Sequence, residues 1–362
     1  MTTPGTRPVR RPRPVAQAAG AVALGFSSLL SACEYDSSPL GIAGSAPIGS
    51  ITPIGLSVNE DFGTSGELTL AWIARDNEGR DILPRGVQTQ ITITEGPACL
   101  EVRTIGQRVR EGSQRAIGTA LLLDSSGSMF SNDPQRLRVP AAVSFAEVIL
   151  TARAANRVGV FDFGTGRTGS FNATRELAPF TGDLEVVRTG AELTRSSGNT
   201  PLYRSTLETL EHLDREVPAG SADRILVVFS DGLPTSNIPS LAQVADRAVE
   251  LGIPIFTVGL GPASASDSRN NPFAVDVMQE LARRTGGVYG DLTGASQFVE
   301  RFEAVATGLA QGSMETRVRL APVPRPRDRV TLRVRARTGA EAVWVLQVPD
   351  RGGVAGPGCP AV

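Results

Sequence analysis

Hydrophobic and polar positions follow two different patterns along the chain. Between about 54 and 112, and again after 312, apolar residues tend to occupy every second position in short runs separated by turn residues, as in ELTLAWIARDNEGR and RVTLRVRART. A period of two is typical of β-strands with one buried face. From about 115 to 312, near-continuous apolar runs alternate with amphipathic stretches. This is the pattern of a parallel sheet that helices cover on both faces.

The chain is therefore predicted to be an α/β protein with a doubly wound, mostly parallel sheet, flanked on both sides by β-strand segments. The strand candidates of the central region are AIGTALLLD, RVGVFDF, DRILVVFSD, GIPIFTVGL and GGVYGDL. Helices are predicted near 136–154, 183–195, 201–216, 239–251, 275–285 and 295–311.

The first 32 residues have the layout of a secretory signal. They contain Arg7, Arg10, Arg11 and Arg13 and no acidic residue, and a small and apolar run, VAQAAGAVALGFSSLLSA, follows. Polar and glycine interruptions make this run less suited to a permanent transmembrane helix. The run ends in Leu-Ser-Ala before Cys33, which resembles the lipobox of bacterial lipoproteins and predicts an acylated cysteine. An ordinary signal that happens to precede a cysteine is the alternative.

Acylation implies that the mature chain is held on a membrane of the bacterial cell envelope. Glu34 after the cysteine resembles the pattern of outer-membrane-directed lipoproteins, which implies the outer membrane or the cell surface more than the inner membrane. The predicted segments are a signal peptide at 1–32, a flexible linker at 33–53, a β-rich segment at 54–114, the α/β domain at 115–312 and a second β-rich segment at 313–362.

The two β-rich segments are predicted to form one split β-sandwich, with the α/β domain inserted between them. Each alone, at about 60 and about 50 residues, is small for an independent two-sheet core, whereas together they supply about seven strands. If Cys33 carries lipid, only Cys99 and Cys359 remain, one in each segment, and an oxidising compartment favours a disulfide bond between them. Two separate β modules with unpaired thiols are the alternative.

Composition excludes several kinds of catalytic site. All 36 basic residues are arginine, so the chain has no lysine for a P-loop or a Schiff base. His212 is the only histidine, and its place among charged residues in PLYRSTLETLEHLDREV predicts a solvated helix position. The formal net charge of −1 becomes more negative once the arginines of the signal are removed, so nothing favours binding to nucleic acid.

Oxygen-bearing side chains follow two of the predicted buried strands. AIGTALLL runs into DSSGS at 124–128, RILVVF runs into SDG at 230–232, and SGNTPL at 197–202 forms a turn that opens a helix. Ligand sites of open α/β sheets form at the carboxyl ends of strands. Carboxylate and hydroxyl oxygens suit a hard divalent cation such as Mg²⁺, which keeps waters and so leaves an open coordination position.

DSSGS, GNTPLY and FSDG, in this order and spacing, resemble the metal-ion-dependent adhesion site of von Willebrand factor type A domains. GIPIFTVGLG and LARRTGGVYGDL also resemble a late strand and the following helix of that family, so the resemblance covers about 115–312. It implies that the hydroxyls of Ser126 and Ser128 bind Mg²⁺, Mn²⁺ or Ca²⁺. Asp124 and Asp231 would act directly or through water, and Thr200 would bind in the ligand-engaged state.

The resemblance also implies that an acidic side chain of a protein partner fills the open position, so that the cation bridges the two proteins. The leading hypothesis is an envelope-anchored module for cation-dependent protein–protein binding, in adhesion or complex assembly, and not an enzyme. The alternatives are a structural scaffold subunit of an envelope or secretion complex and, less favoured, a metal-assisted hydrolase. Sites of hydrolases usually gather more carboxylates or a histidine.

Two further groups of charged residues are predicted to be structural and not functional. The acidic cluster DNEGRD at 76–81 is predicted to be a hairpin turn and not a calcium site, because EF-hand spacing is missing. In RVTLRVRART, alternation places Arg329, Arg333, Arg335 and Arg337 on one face of a strand. Such a face could meet an anionic glycan or a lipid headgroup, but a solvated strand face is favoured.

Overall fold

The computed structural model describes residues 47–83, 89–164, 173–267, 269–292 and 297–350. The signal peptide, Cys33 and most of the predicted linker lie outside these residues, as does Cys359. In the described part of the chain, no helix is long and apolar enough to cross a membrane.

Fourteen strands form two sheets within the described residues. In chain order the strands are β1 (Ile48–Val58), β2 (Glu67–Asp76), β3 (Asp81–Ile82), β4 (Thr89–Glu95), β5 (Glu101–Glu111), β6 (Ile117–Asp124), β7 (Arg157–Phe163), β8 (Thr174–Thr181), β9 (Asp223–Ser230), β10 (Ile255–Leu260), β11 (Tyr289–Leu292), β12 (Gly312–Ala321), β13 (Arg329–Ala336) and β14 (Glu341–Gln347).

The helices lie mainly between the central strands. They are α1 (Phe62–Ser65), α2 (Met129–Asn132), α3 (Arg138–Ala152), α4 (Leu184–Glu192), α5 (Leu202–Glu216), α6 (Leu241–Leu251), α7 (Pro272–Thr285) and α8 (Phe298–Ala310). The six longer helices match the six predicted stretches to within a few residues.

The predicted fold class is confirmed. Strands β11, β10, β9, β6 and β7 run parallel in this spatial order, and β8 closes that edge antiparallel. Every residue of β6 is buried because helices cover both faces of the sheet. One core cluster contains apolar residues of α3, α4 and α8, and the other contains those of α5, α6 and α7.

The large sheet continues beyond the parallel strands into both flanking segments. Its order is β5-β12-β2-β1-β11 and then the central strands, with the short β3 beside β2. β1 joins the two parts by pairing antiparallel with β11, where Leu56 lies opposite Tyr289. The chain approaches closely at this junction, since a Cβ on Gly55 would lie 2.4 Å from the carbonyl oxygen of Tyr289.

A second, three-stranded antiparallel sheet, in the order β14-β13-β4, also combines the two flanking segments. Trp72 of β2 and Trp344 of β14 are fully buried in the core that the two sheets share. The indole of Trp72 donates to Thr316 Oγ1 at 3.0 Å, and that of Trp344 donates to the carbonyl oxygen of Gly55 at 3.1 Å. Both ring nitrogens are thus satisfied inside this core.

The flanking segments therefore pack with each other, as the split-sandwich prediction expects, but they do not form a separate sandwich. The correction is that one of the two layers is an extension of the central sheet through β1 and β11. Sequence alternation identifies strands with one buried face, but it does not identify which strand lies beside which.

The predicted linker at 33–53 is too long, because residues 48–53 belong to β1. Gly49, Pro53 and Gly55 give this stretch the composition of a linker, yet β1 is irregular at these points and close to its neighbours. A Cβ on Gly49 would lie 2.6 Å from the carbonyl oxygen of Asp76. Glycine and proline are tolerated at β-bulges, so β1 can pair with β2 despite its linker-like composition.

The acidic cluster at 76–81 forms a hairpin turn, as predicted. Asp76 Oδ1 accepts hydrogen bonds from the backbone N–H groups of Glu78 and Arg80, both at 2.9 Å. On β13, Val330, Leu332 and Val334 are buried and Arg335 is exposed, as the alternation predicts, but Thr331 is buried as well.

His212 lies on α5, as predicted, but it is less solvated than expected. Its side chain is only partly exposed and packs edge-on against the ring of Phe161, with ring centroids 5.1 Å apart. Nε2 lies 2.9 Å from Glu176 Oε2 on β8, a strand that the sequence pattern did not identify.

Candidate metal centre

Three loops at the carboxyl edge of the central sheet carry the predicted ligands. The first follows β6, the second precedes α5 and the third follows β9, the neighbour of β6 in the sheet. Backbone hydrogen bonds join the first two loops: Ser197 N–H donates to the carbonyl oxygen of Ser125 at 2.8 Å, and Gly127 N–H donates to that of Gly198 at 3.1 Å. The topology thus brings residues from distant parts of the chain to one place.

Hydroxyl and carboxyl groups form a continuous chain at this place. Ser126 Oγ lies 3.0 Å from Ser128 Oγ, and Ser128 Oγ donates to Asp231 Oδ1 at 2.9 Å. Asp124 accepts from the backbone N–H of Ser126 at 2.7 Å and from Ser230 Oγ at 2.6 Å. Four of the five predicted ligands are therefore connected by hydrogen bonds.

Thr200, the fifth predicted ligand, lies on the second loop. It is buried, and its carbonyl oxygen accepts a hydrogen bond of 2.9 Å from the backbone N–H of Thr235, which lies on the third loop. The backbone thus connects the second loop to both of the others.

The two carboxyl groups are costly to ionise in these surroundings. Burial, and secondly the charge of Asp231, raises the pKa of Asp124 to about 7. Burial likewise raises the pKa of Asp231, although Asn132 and Ser128 oppose the shift by donating hydrogen bonds to its oxygens. A nearby positive charge would favour the ionised forms of both groups.

The donor set fits a hard divalent cation. Two carboxyl groups and three hydroxyl groups provide only oxygen atoms, with no sulfur or imidazole to favour a softer metal. No cluster of three or more histidine, cysteine or acidic residues suited to a metal occurs among the described residues. Metal binding at these loops would therefore depend on the serine and threonine hydroxyls as much as on the carboxylates.

Three residues of this centre were missed by the sequence analysis. Ser230 and Asn132 each hydrogen-bond one of the two aspartates, through Ser230 Oγ to Asp124 and through Asn132 Nδ2 to Asp231 at 2.9 Å. Gly164 follows β7, where a Cβ would lie 2.3 Å from the backbone nitrogen of Ser126. Asn132 and Gly164 lie outside the three motifs, whereas Ser230 is part of FSDG but was not predicted to have a role of its own.

A buried ion pair at the start of α3 is hydrogen-bonded to the second loop. Arg138 and Asp133 have fully buried side chains, and Arg138 Nη1 donates to Asp133 Oδ2 at 2.7 Å. Arg138 Nη2 also donates to Ser196 Oγ at 3.0 Å, at the start of the second loop. Arg136 donates to the carbonyl oxygens of Glu192 and Thr194 at 2.7 and 2.9 Å. These hydrogen bonds connect the residues between α2 and α3, and the first residue of α3, to the segment that precedes Thr200.

Residues 119–233 match the family model described as the von Willebrand factor type A domain. The match includes all five predicted ligands. In sequence, the central region is therefore similar to the family whose site motif the three loops resemble. A comparison with curated proteins finds no match.

Several solved structures align with the chain at low identity. Proximal thread matrix protein 1 from the mussel byssus is 14% identical, covers 54% of this chain and 48% of its own, and has a TM-score of 0.43. A von Willebrand factor type A protein from Catenulispora acidiphila is 12% identical, with coverages of 87% and 76% and a TM-score of 0.42. The open conformation of the pilus adhesin SpaC from Lactobacillus rhamnosus GG is 10% identical, with coverages of 83% and 47% and a TM-score of 0.46. The chain spans about half the length of the mussel protein and of the pilus adhesin.

Proposed function

We propose that this chain is an envelope-anchored lipoprotein that binds a protein partner through a divalent cation held by the three loops. The observation that carries the proposal is the hydrogen-bonded chain of Ser126, Ser128 and Asp231, with Asp124 beside it and Thr200 on the adjoining loop. Oxygen ligands of this kind, at the carboxyl end of a sheet, suit Mg²⁺, and Mn²⁺ or Ca²⁺ would use the same atoms.

Each residue has a separate role in this proposal. Ser126 and Ser128 offer hydroxyl oxygens, while Asp124 and Asp231 supply the negative charge, directly or through water. A bound cation supplies a positive charge with an open position for a carboxylate of the partner. Asn132 and Ser230 orient the two aspartates, because each donates a hydrogen bond to one of the carboxyl groups. Binding thus requires no chemical step.

A binding function is favoured over catalysis by the position of the only histidine. His212 contacts Glu176 and the rings of Phe161 and Phe180 and makes no hydrogen bond to any of the five ligands. A scaffold role without metal would predict that the partner is captured equally well in EDTA. A hydrolase would show turnover on a substrate panel.

Calorimetric titration of the full chain with Mg²⁺ tests the site. One ion should bind to the wild type, and Asp124→Ala or Asp231→Ala should abolish binding, because each removes a carboxylate from a site that has only two. Ser131→Ala is the matched control, since Ser131 is an exposed serine of α2 that is not a predicted ligand. Equal Mg²⁺ affinity in the aspartate variants would contradict the proposed site.

Lipid attachment at Cys33 and a disulfide bond between Cys99 and Cys359 belong to the same proposal. The support is the Leu-Ser-Ala-Cys sequence after a basic and then apolar segment, and the single cysteine pair that remains. Mass spectrometry of the N-terminus should find acylated Cys33, and Cys33→Ser should leave an unacylated precursor. Non-reducing peptide mapping should find the two remaining cysteines in one linked fragment, and free thiols at both would contradict the bond.

A further inference from the structure

Two large apolar side chains lie unusually exposed beside the candidate metal centre. Among the described residues, the highest exposures of large hydrophobic side chains are those of Ile238 and Phe130, at 81% and 78%. Phe130 lies on α2, directly after the first loop, and Ile238 lies on the third loop together with the exposed Leu233. Single exposed apolar residues are ordinary on protein surfaces, but a group around one site is a mark of an interaction surface.

Chain connectivity holds two of these side chains close to the ligands. Phe130 is two residues from Ser128 and Leu233 is two residues from Asp231, so each Cα lies within about 7.6 Å of that of a ligand. The backbone N–H of Phe130 donates to the carbonyl oxygen of Gly127 at 3.2 Å, which fixes its turn. The two apolar side chains come from different loops, which meet where Ser128 bonds Asp231.

Next to the two aspartates of the site, the three loops consist of uncharged residues. Residues 125–132, 196–200 and 232–238 contain only serine, threonine, glycine, asparagine, proline and apolar residues. A divalent cation would balance the two aspartates, so the loops would present one positive centre in an uncharged surface. Arg195, directly before the second of these ranges, is exposed, and its side chain donates to the carbonyl oxygens of Glu192 and Thr194.

We infer that the partner presents one acidic side chain within an uncharged segment, with bulky apolar side chains on both sides of it. This inference rests on the proposed function and specifies the partner of the same site. The carboxylate would meet the cation, and the flanking apolar side chains would cover Phe130 and Leu233. A segment with several acidic residues would have to bury its further carboxylates against these uncharged loops without partners.

Four synthetic peptides with blocked ends test this inference on the full chain. Their sequences are Ser-Leu-Glu-Leu-Ser, Ser-Ser-Glu-Ser-Ser, Ser-Glu-Glu-Glu-Ser and Ser-Leu-Gln-Leu-Ser, and their affinities are measured by NMR titration in Mg²⁺ and in EDTA. The leucine-flanked glutamate peptide should bind at least about tenfold more tightly than the two peptides without leucine, because burial of two leucines adds apolar contact. It should exceed the glutamine peptide by at least about as much, because glutamine has no carboxylate for the cation. EDTA should remove its binding.

Variants assign the difference to the two side chains. Phe130→Ser and Leu233→Ser should lower the affinity for the leucine-flanked peptide towards that for the serine-flanked one, while the calorimetric affinity for Mg²⁺ stays unchanged. Val249→Ser is the control, because Val249 on α6 is 58% exposed and outside the three loops. Unchanged peptide binding in both rim variants would overturn the inference.

The outcomes distinguish this inference from the proposed function. If all glutamate peptides bind equally well in Mg²⁺ and the glutamine peptide does not bind, the metal-bridged function stands and the apolar context is wrong. Tightest binding of the triple-glutamate peptide would overturn the inference in the same way. If the chain binds no Mg²⁺ by calorimetry, or if glutamine replaces glutamate without loss, both are overturned.

Discussion

At the scale of single residues, the motif spacing predicted which side chains meet at the candidate metal centre, but not the residues that hydrogen-bond or pack against them. Asp124, Ser126 and Ser128 could be identified because they lie where the buried strand β6 ends. Asp231 reaches the same edge of the sheet because it follows β9, which pairs in parallel with β6. Gly164 carries no such signal, because its contribution is the absence of a side chain. The backbone N–H of Ser125 donates to the carbonyl oxygen of Phe163 at 2.7 Å, so the first loop lies directly against the chain at Gly164.

Gly164→Ala should lower the affinity for Mg²⁺ by at least about tenfold, because the new Cβ would displace the backbone of Ser126. Gly220→Ala is the control for the backbone cost of placing alanine at a positive φ, which is about 1–2 kcal/mol. Gly220 has a φ of +89° and open space around its Cβ position. Calorimetry should show weakened Mg²⁺ binding only for the Gly164 variant, and an equal affinity in the two variants would show that the close approach does not matter for the site.

At the scale of secondary-structure elements, long buried runs and amphipathic stretches were sufficient to place the central strands and the longer helices. β8 was missed because it is a partly exposed edge strand, and its sequence, TRELAPFT, lacks a clear alternation. The hydrogen bonds that connect the start of α3 to the second loop could not be predicted either. Arg138 resembles the other arginines of the sequence, and only tertiary structure shows that its side chain is fully buried against Asp133 and Ser196.

Arg138→Met should lower the free energy of unfolding by about 3–5 kcal/mol, because Asp133 would remain buried without a positive partner. Arg188→Met on α4 is the control. The Arg188 side chain is 44% exposed and that of its partner Glu185 is 74% exposed, so less than about 1 kcal/mol should be lost. Urea denaturation measures both values. Equal losses would show that the buried pair contributes no more than a surface pair.

At the scale of the whole molecule, the fold class and the pairing of the two flanking segments could be predicted, because composition and strand count limit how small β segments bury their cores. The continuity of the large sheet could not. It depends on β1 beside β11, where Leu56 pairs with Tyr289 and Gly55 allows the close approach. Local periodicity contains no information on such a neighbour, and the glycine that permits the contact looks like linker sequence.

This continuity predicts that cation binding stabilises the β layers far from the candidate site. Trp72 and Trp344 are the only tryptophans, and both lie in the core between the two sheets, so their fluorescence reports on that region alone. If the large sheet unfolds as one cooperative unit, Mg²⁺ at a hundredfold excess over its Kd should add about 2.7 kcal/mol to the stability seen by fluorescence. Far-UV circular dichroism should show the same increase in the urea midpoint, and Asp231→Ala should remove it from both signals. A shift in circular dichroism without one in fluorescence would mean that the β layers unfold separately, despite the hydrogen bonds between β1 and β11.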